Sequence, residues 1–150
     1  MSKFIYRMQN ILNVKYKLED QAKTEFMLAN QVLREEEEKL QILKKRKQGY
    51  EDAVRQLLRN QLQVDRIKEN QEATRRMEEF IRAQIVKVEE AARQVEIKAA
   101  KLTELMQERK AQEKLKEKAF EVFLQEENAK ESKEIDELVS FTYGRKQREE

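Results

Sequence analysis

Residues 26–57 read FMLANQVLREEEEKLQILKKRKQGYEDAVRQL, and the apolar spacing in this stretch decides the fold. Alternating steps of three and four from Phe26 meet Ala29, Leu33, Leu40, Leu43, Tyr50, Val54 and Leu57, interrupted only by Glu36 and Lys47. A repeat of 3.5 residues marks a narrow stripe that buries against one partner helix, as in a coiled coil. A strand would alternate at every second residue, and a helix on a globular core would carry a wider stripe.

Working outward, the same stepping toward the N-terminus gives Phe4, Met8, Ile11, Leu18 and Ala22, with Lys15 the exception, joined to Phe26 by one extra step of four. That extra residue of phase predicts local unwinding between Ala22 and Phe26. A second seam follows Met77, Ile81, Gln84, Val88, Ala91, Val95, Lys98, Leu102 and Leu105. It becomes irregular across 109–114 and resumes at Leu115, Ala119 and Val122. The two seams do not share a phase, which points to a turn between them; the alternative is a single uninterrupted helix that dimerises in parallel. Asn60 tolerates a helix end and Asp65 suits a helix start. The expected fold is all-α, one long antiparallel two-helix coiled coil spanning 1–150: helix one about 3–58, bend about 59–63, helix two about 64–143 with a frayed end. In this register the numbers of paired residues add to roughly 122, given helices that rise equally per residue.

Composition agrees. The 150 residues contain no proline, cysteine, histidine or tryptophan and only two glycines, while 41% are charged. Strand-rich folds need many tight turns that this chain has few residues to make. Disorder brings proline, serine and glycine, whereas Glu, Lys, Gln, Leu, Ala and Arg dominate here. Without Cys or His, the usual zinc sites and the Cys–His and Ser–His nucleophile pairs are excluded. Neither Gly49 nor Gly144 lies in a phosphate-cradling loop. The reading is a non-enzyme without a cofactor or metal. A net charge of +2 supplies no basic stripe for nucleic acid. No apolar run approaches the roughly 18 residues that span a bilayer, so a soluble cytoplasmic protein is expected.

A two-helix seam is narrow, so apolar residues off it need another cover. At the N-terminal end Ile5 and Leu12 read as surplus beside Phe4, Met8 and Ile11, and helix two brings Phe120 and Phe123 to the same end. This is a candidate docking end. Near the bend, Phe80 flanks the seam residues Tyr50, Met77 and Ile81 and is a second candidate. The polar seam positions Lys15, Glu36, Lys47 and Lys98 cost stability and set register.

The opening Phe4-Ile5-Tyr6-Arg7-Met8-Gln9-Asn10-Ile11-Leu12, with Lys15, Lys17, Glu19, Asp20, Gln21 and Ala22 following, resembles the N-terminal signature of the FliJ family of flagellar export proteins. The segment from Asn128 to Glu137 resembles the closing segment of that family. The resemblance implies an antiparallel two-helix coiled coil, similar to the central shaft of rotary ATP synthases. It further implies docking on the hexameric flagellar export ATPase, contact with the cytoplasmic domain of the export gate, handling of export chaperones, and a place at the inner face of the cell membrane at the flagellar base. The family's gate-linked positions correspond to Leu43, Tyr50 and Met77, while Arg46 and Ala73 stand where aromatic residues are often found. The ATPase would meet the end carrying Phe4, Ile5, Met8, Ile11, Leu12, Phe120 and Phe123. The competing reading is a structural stalk or spacer of rotary ATPase or cytoskeletal type, which predicts a parallel dimer.

Overall fold

A computed structural model describes residues 2–60 and 63–149. Two helices make the fold, α1 (Gln9–Asn60) and α2 (Val64–Glu149), with no strand among the described residues. They pack against each other antiparallel as a helical hairpin, because each carries one 3.5-residue stripe and the two stripes cover one another. Contacts divide the chain into two compact units, Met1–Glu19 with Leu105–Glu150 and Asp20–Glu104.

In the unit Asp20–Glu104 the seam residues lie where the spacing puts them. Ala22 and Ala91 are buried, and Phe26, Ala29, Leu33, Leu40, Leu43, Tyr50, Val54 and Leu57 are half-buried, as are Met77, Ile81, Val88 and Val95. Half-burial is the rule because each seam side chain is covered by one neighbouring helix only. Facing residues total 123 for Glu25–Lys98, 120 for Glu36–Gln84 and 125 for Lys47–Glu78.

The other unit departs from the expected pattern in three ways. First, α1 starts at Gln9 rather than near residue 3. Over residues 3–7 burial alternates, with Phe4 and Tyr6 half-buried and Lys3, Ile5 and Arg7 exposed. That two-residue period belongs to extended chain, not to a helix. Phe4 is held between Phe120 and Phe123, with ring centroids 5.2 and 5.4 Å away, and the Tyr6 hydroxyl donates to Gln112 Oε1 at 3.3 Å.

Second, the seam of α1 runs Leu12, Lys15, Glu19, Ala22 and Phe26, in regular steps of three and four. Leu12 is 1% and Glu19 4% exposed, whereas Ile11 is 43% and Leu18 37% exposed. The expected extra residue of phase near Ala22 is therefore absent, and the coil keeps its period by placing a carboxylate in the seam.

Third, α2 behaves likewise. Arg109, Gln112, Lys116, Ala119 and Phe123 face inward, while Leu115 and Val122 are 48% and 52% exposed. Over 109–114 the seam is regular but polar.

Gln61 and Leu62, in the expected bend, lie outside the described residues. On either side, Asn60 closes α1, and Gln63 accepts a hydrogen bond from the Ile67 amide at 3.1 Å. Asp65 lies in the first turn of α2, where a carboxylate complements the helix dipole. At its other end α2 stays helical to Glu149, beyond the fraying expected after 143.

Candidate functional site

The end carrying the N-terminal segment is built around three rings. Phe4 meets Phe120 edge-on at 67°, and Phe120 and Phe123 lie nearly parallel, 6.3 Å apart. Phe4, Leu12, Tyr16 and Phe120 share the walls of a cavity of about 340 Å³ with Glu113, Lys116 and Glu117. The segment before Gln9 thus adds a third wall that a bare two-helix coil lacks, and that wall covers Leu12. The expectation that Leu12 is surplus and available to a partner is corrected here: it is core. Ile5, Met8 and Ile11 are 79%, 39% and 43% exposed, and Phe120 is 43% exposed. Phe4 and Phe123 are half-buried. Ile5 is exposed because the alternation that turns Phe4 and Tyr6 inward turns it outward.

Beside the rings lies a polar chain that the apolar pattern did not point to. Arg109 donates from Nε and Nη2 to the two oxygens of Glu19, at 2.5 and 3.3 Å, and from Nη1 to Glu113 at 3.1 Å. The Tyr16 hydroxyl donates to the other oxygen of Glu113 at 2.6 Å. This bond is the main cause that raises the Tyr16 hydroxyl above its ordinary value and lowers the Glu113 carboxyl below its own. The bonds to Glu19 and then to Glu113 likewise raise the Arg109 guanidinium. A buried carboxylate is tolerable only when its charge is paired and its oxygens are bonded. A reading that followed the three-and-four step from Phe26 without requiring apolar residues would have reached Glu19.

In the other unit, each polar seam residue finds a partner across the interface. Gln84 donates from Nε2 to the Glu36 carboxylate at 2.5 Å and to its backbone carbonyl at 2.9 Å. The first of these bonds is the main reason that the Glu36 carboxyl is lowered. Lys47 reaches Glu78 at 3.4 Å, and Lys98 reaches Glu25 at 3.3 Å. Lys15, in the first unit, reaches Glu108 at 2.9 Å. Partners at fixed positions penalise a slipped register, since sliding one helix separates every pair.

Around the bend-side candidate, Leu43, Tyr50 and Met77 are half-buried in the seam. Phe80 stands clear of them at 55% exposure. A partner on that face therefore reaches Phe80 far more fully than the other three. Further along the same unit, Ala29, Val32, Val86 and Ala91 line an apolar groove of about 500 Å³, a feature not evident from the seam alone. Small residues on both helices leave the gap.

The two units thus show a helical hairpin whose seam is locked by polar pairs and whose flanks carry exposed apolar side chains. The chain matches the family described as flagellar FliJ protein over residues 3–148. It belongs to the FliJ family, and so to the components of flagellar, type III protein export. Among solved structures it is similar to a protein described as a YscO homologue, CT670, from Chlamydia trachomatis. The TM-score is 0.75 at 20% identity, with 99% of this chain and 100% of that one covered. At that identity the likeness carries the fold. No curated protein matches the chain in sequence. Among the described residues no helix is long and apolar enough to cross a membrane.

Proposed function

We infer that the protein is a coupling component of the flagellar export apparatus, acting by binding rather than by catalysis. Its aromatic end docks on the export ATPase ring through Ile5, Met8 and Ile11, backed by Phe4, Phe120 and Phe123. Its bend-side face, led by Phe80 with Tyr50, Leu43 and Met77 behind it, contacts the cytoplasmic domain of the export gate. Export chaperones are further partners. The protein reaches the inner face of the cell membrane through these partners. The observation that carries the reading is the exposure of Ile5, Met8 and Ile11 beside a packed three-ring cluster in a chain of this family. Burying each such side chain contributes roughly 1.5–3 kcal/mol, so a collar that covered all three would bind firmly. Binding that favours one state of the ring shifts the ring's populations, and that differential affinity is the source of any stimulation.

The test replaces Ile5, Met8 and Ile11 together with Ser and measures ATPase stimulation and helicity. The expected result is loss of most stimulation with circular dichroism unchanged. Stimulation equal to the parent's would move the docking end elsewhere. The stalk reading needs seams that face a second, parallel chain, whereas within each unit the two helices cover one another.

A further inference from the structure

The near-neutral balance of the whole chain hides an uneven spread within the unit Asp20–Glu104. Residues 44–82, the half next to the bend, carry eleven Lys and Arg against seven Asp and Glu, a net charge of +4. Residues 20–43 with 83–104 carry seven against ten, a net charge of −3. One flank of the seam gathers the positive excess. Lys47 reaches Glu51 on its own helix at 3.8 Å and Glu78 on α2 at 3.4 Å, so these two carboxylates mark the same side of the hairpin. Heptad steps from them put Lys44 and Leu58 on that side of α1, and Val64, Gln71 and Ile85 on that side of α2. Steps of three or four add Arg55, Lys68, Arg75 and Arg82. All five cations are exposed. Lys44, Lys68, Arg75 and Arg82 have no ion-pair partner among the described residues, and Arg55 has only an exposed pair with Asp52 at 3.7 Å, a contact of small worth. Glu51 and Glu78 are the flank's own acids in this half, and Lys47 holds both. Asp65, Glu72 and Glu79 lie about 100° further round α2, and Lys45, Asp52 and Arg59 hold the matching edge of α1.

We propose that this flank lies directly on an anionic lipid surface, with its cations among the headgroups and Leu58 and Val64 at the boundary with the acyl chains. The charge selects an anionic partner, since the five cations have no carboxylate of the flank left to neutralise them. The apolar pair selects lipid. Leu58 and Val64 are 56% and 57% exposed and sit among the cations at the bend end of the flank. The phosphates of a nucleic acid duplex offer nothing to a leucine or a valine, whereas a membrane interface takes basic and apolar side chains together. The spacing agrees. Lys68, Arg75 and Arg82 recur one heptad apart, about 10.5 Å at 1.5 Å per residue, so they do not converge on a single anion. They match a layer of separate, mobile headgroups, and two helices side by side present a flat side to a flat surface. Phe80 stands one heptad before Lys87, which lines a groove with Val32 on the other flank. The lipid surface and the proposed gate contact therefore use different sides of the hairpin.

Co-sedimentation of the full-length protein with vesicles tests this. Vesicles of phosphatidylcholine with about 30% phosphatidylglycerol should carry the protein down, and vesicles of phosphatidylcholine alone should not. Raising the salt from about 0.1 M to about 0.5 M should release most of it. Each cation near an anionic surface contributes a factor of about five. Lys44→Gln, Arg75→Gln and Arg82→Gln together should therefore weaken binding on the order of 100-fold. Arg66 lines a cavity with Ala53 and Asn60 on the other flank, where Arg46 and Arg76 also lie. Arg46→Gln, Arg66→Gln and Arg76→Gln together remove the same charge from that side and should weaken binding by less than about fivefold. Leu58→Ser should weaken it several-fold. Circular dichroism should stay unchanged in every variant because the residues are exposed. Equal losses in the two triple variants would mean that net charge and not this flank is read, and would overturn the proposal. So would a parent that ignores the anionic vesicles, or one that binds a short DNA duplex as tightly as it binds them.

Discussion

Arg109 on α2 grips Glu19 on α1 with two arms of its guanidinium, while its third nitrogen holds Glu113. Glu19 is 4% exposed, in a seam position that the heptad reserves for an apolar side chain. Pairing two charges here costs desolvation, and replacing both with apolar side chains is often neutral or better. Removing one alone leaves the other short of partners. Arg109→Met should therefore lower the melting temperature by several degrees, and Arg109→Met with Glu19→Met should recover most of the loss. Thermal denaturation followed by circular dichroism, run as a double-mutant cycle, measures the coupling. Additive losses would mean that the two side chains do not act together.

Leu12 and Ile11 are neighbours with opposite fates. Leu12→Ala should cost about 2–5 kcal/mol, the range for emptying a well-packed leucine site. Ile11→Ala, on the exposed side, should cost about 0.5–1 kcal/mol. Chemical denaturation of the two variants compares them directly, and equal losses would return the seam to Ile11.

Acid should weaken the fold through two carboxyls. Glu113 and Glu36 both titrate below the ordinary glutamate value when folded. Each therefore contributes stability that is complete above the unfolded value of about 4.3 and is lost as pH falls through the lowered folded one. The melting temperature should accordingly fall as pH drops below that value. Tyr16→Phe removes the bond that chiefly lowers Glu113, so the Glu113 carboxyl should titrate at higher pH when followed by NMR.

Gly49 sits in mid-α1 with a helical backbone, and a Cβ added there would meet nothing within 4 Å. Gly49→Ala should stabilise the protein by about 0.5–1 kcal/mol, since glycine loses more freedom on folding than alanine. A loss of stability would point to a contact at this position.

Phe80 and Tyr50 separate surface from seam on the bend-side face. Phe80→Ala should leave the melting temperature nearly unchanged and weaken binding to the gate's cytoplasmic domain. Tyr50→Ala, from the half-buried seam, should lower both. Unchanged gate binding in Phe80→Ala would place the gate contact elsewhere.

From Ala22 to Leu57, and again from Met77 to Leu105, the seam was legible residue by residue, because apolar side chains there recur at the coil's own period. It became illegible where polar residues take over: Lys15 and Glu19 on α1, Arg109, Gln112 and Lys116 on α2. Looking for apolar residues in those stretches selected Leu18, Leu115 and Val122, and all three are exposed. Periodicity held there while polarity did not, because charges pair across the seam and hold the phase that apolar side chains hold elsewhere. That Phe4, Phe120 and Phe123 share one end was legible, since the hairpin register brings them together, whereas Leu12 was misread as surplus.

The sequence by itself determined that this chain makes two helices which pair along a 3.5-residue stripe. The choice rests on local facts: strong helix formers, no proline, and apolar spacing that only a narrow two-helix seam satisfies. It also set the register approximately, since a bend near residue 61 pairs residues whose numbers add to roughly 122, and Glu25–Lys98, Glu36–Gln84 and Lys47–Glu78 lie within a few residues of that sum. Only the tertiary structure decided how the N-terminal end is closed. Leu12 rather than Ile11 falls on the unbroken three-and-four step from Phe26, but the half-burial of Phe4 depends on a segment that is not helical and on its meeting Phe120 and Phe123 more than a hundred residues away. Whether Glu19 can sit in the seam depends on Arg109 reaching it from the facing helix. Such contacts join parts of the chain that are remote in sequence, and no local pattern encodes their geometry.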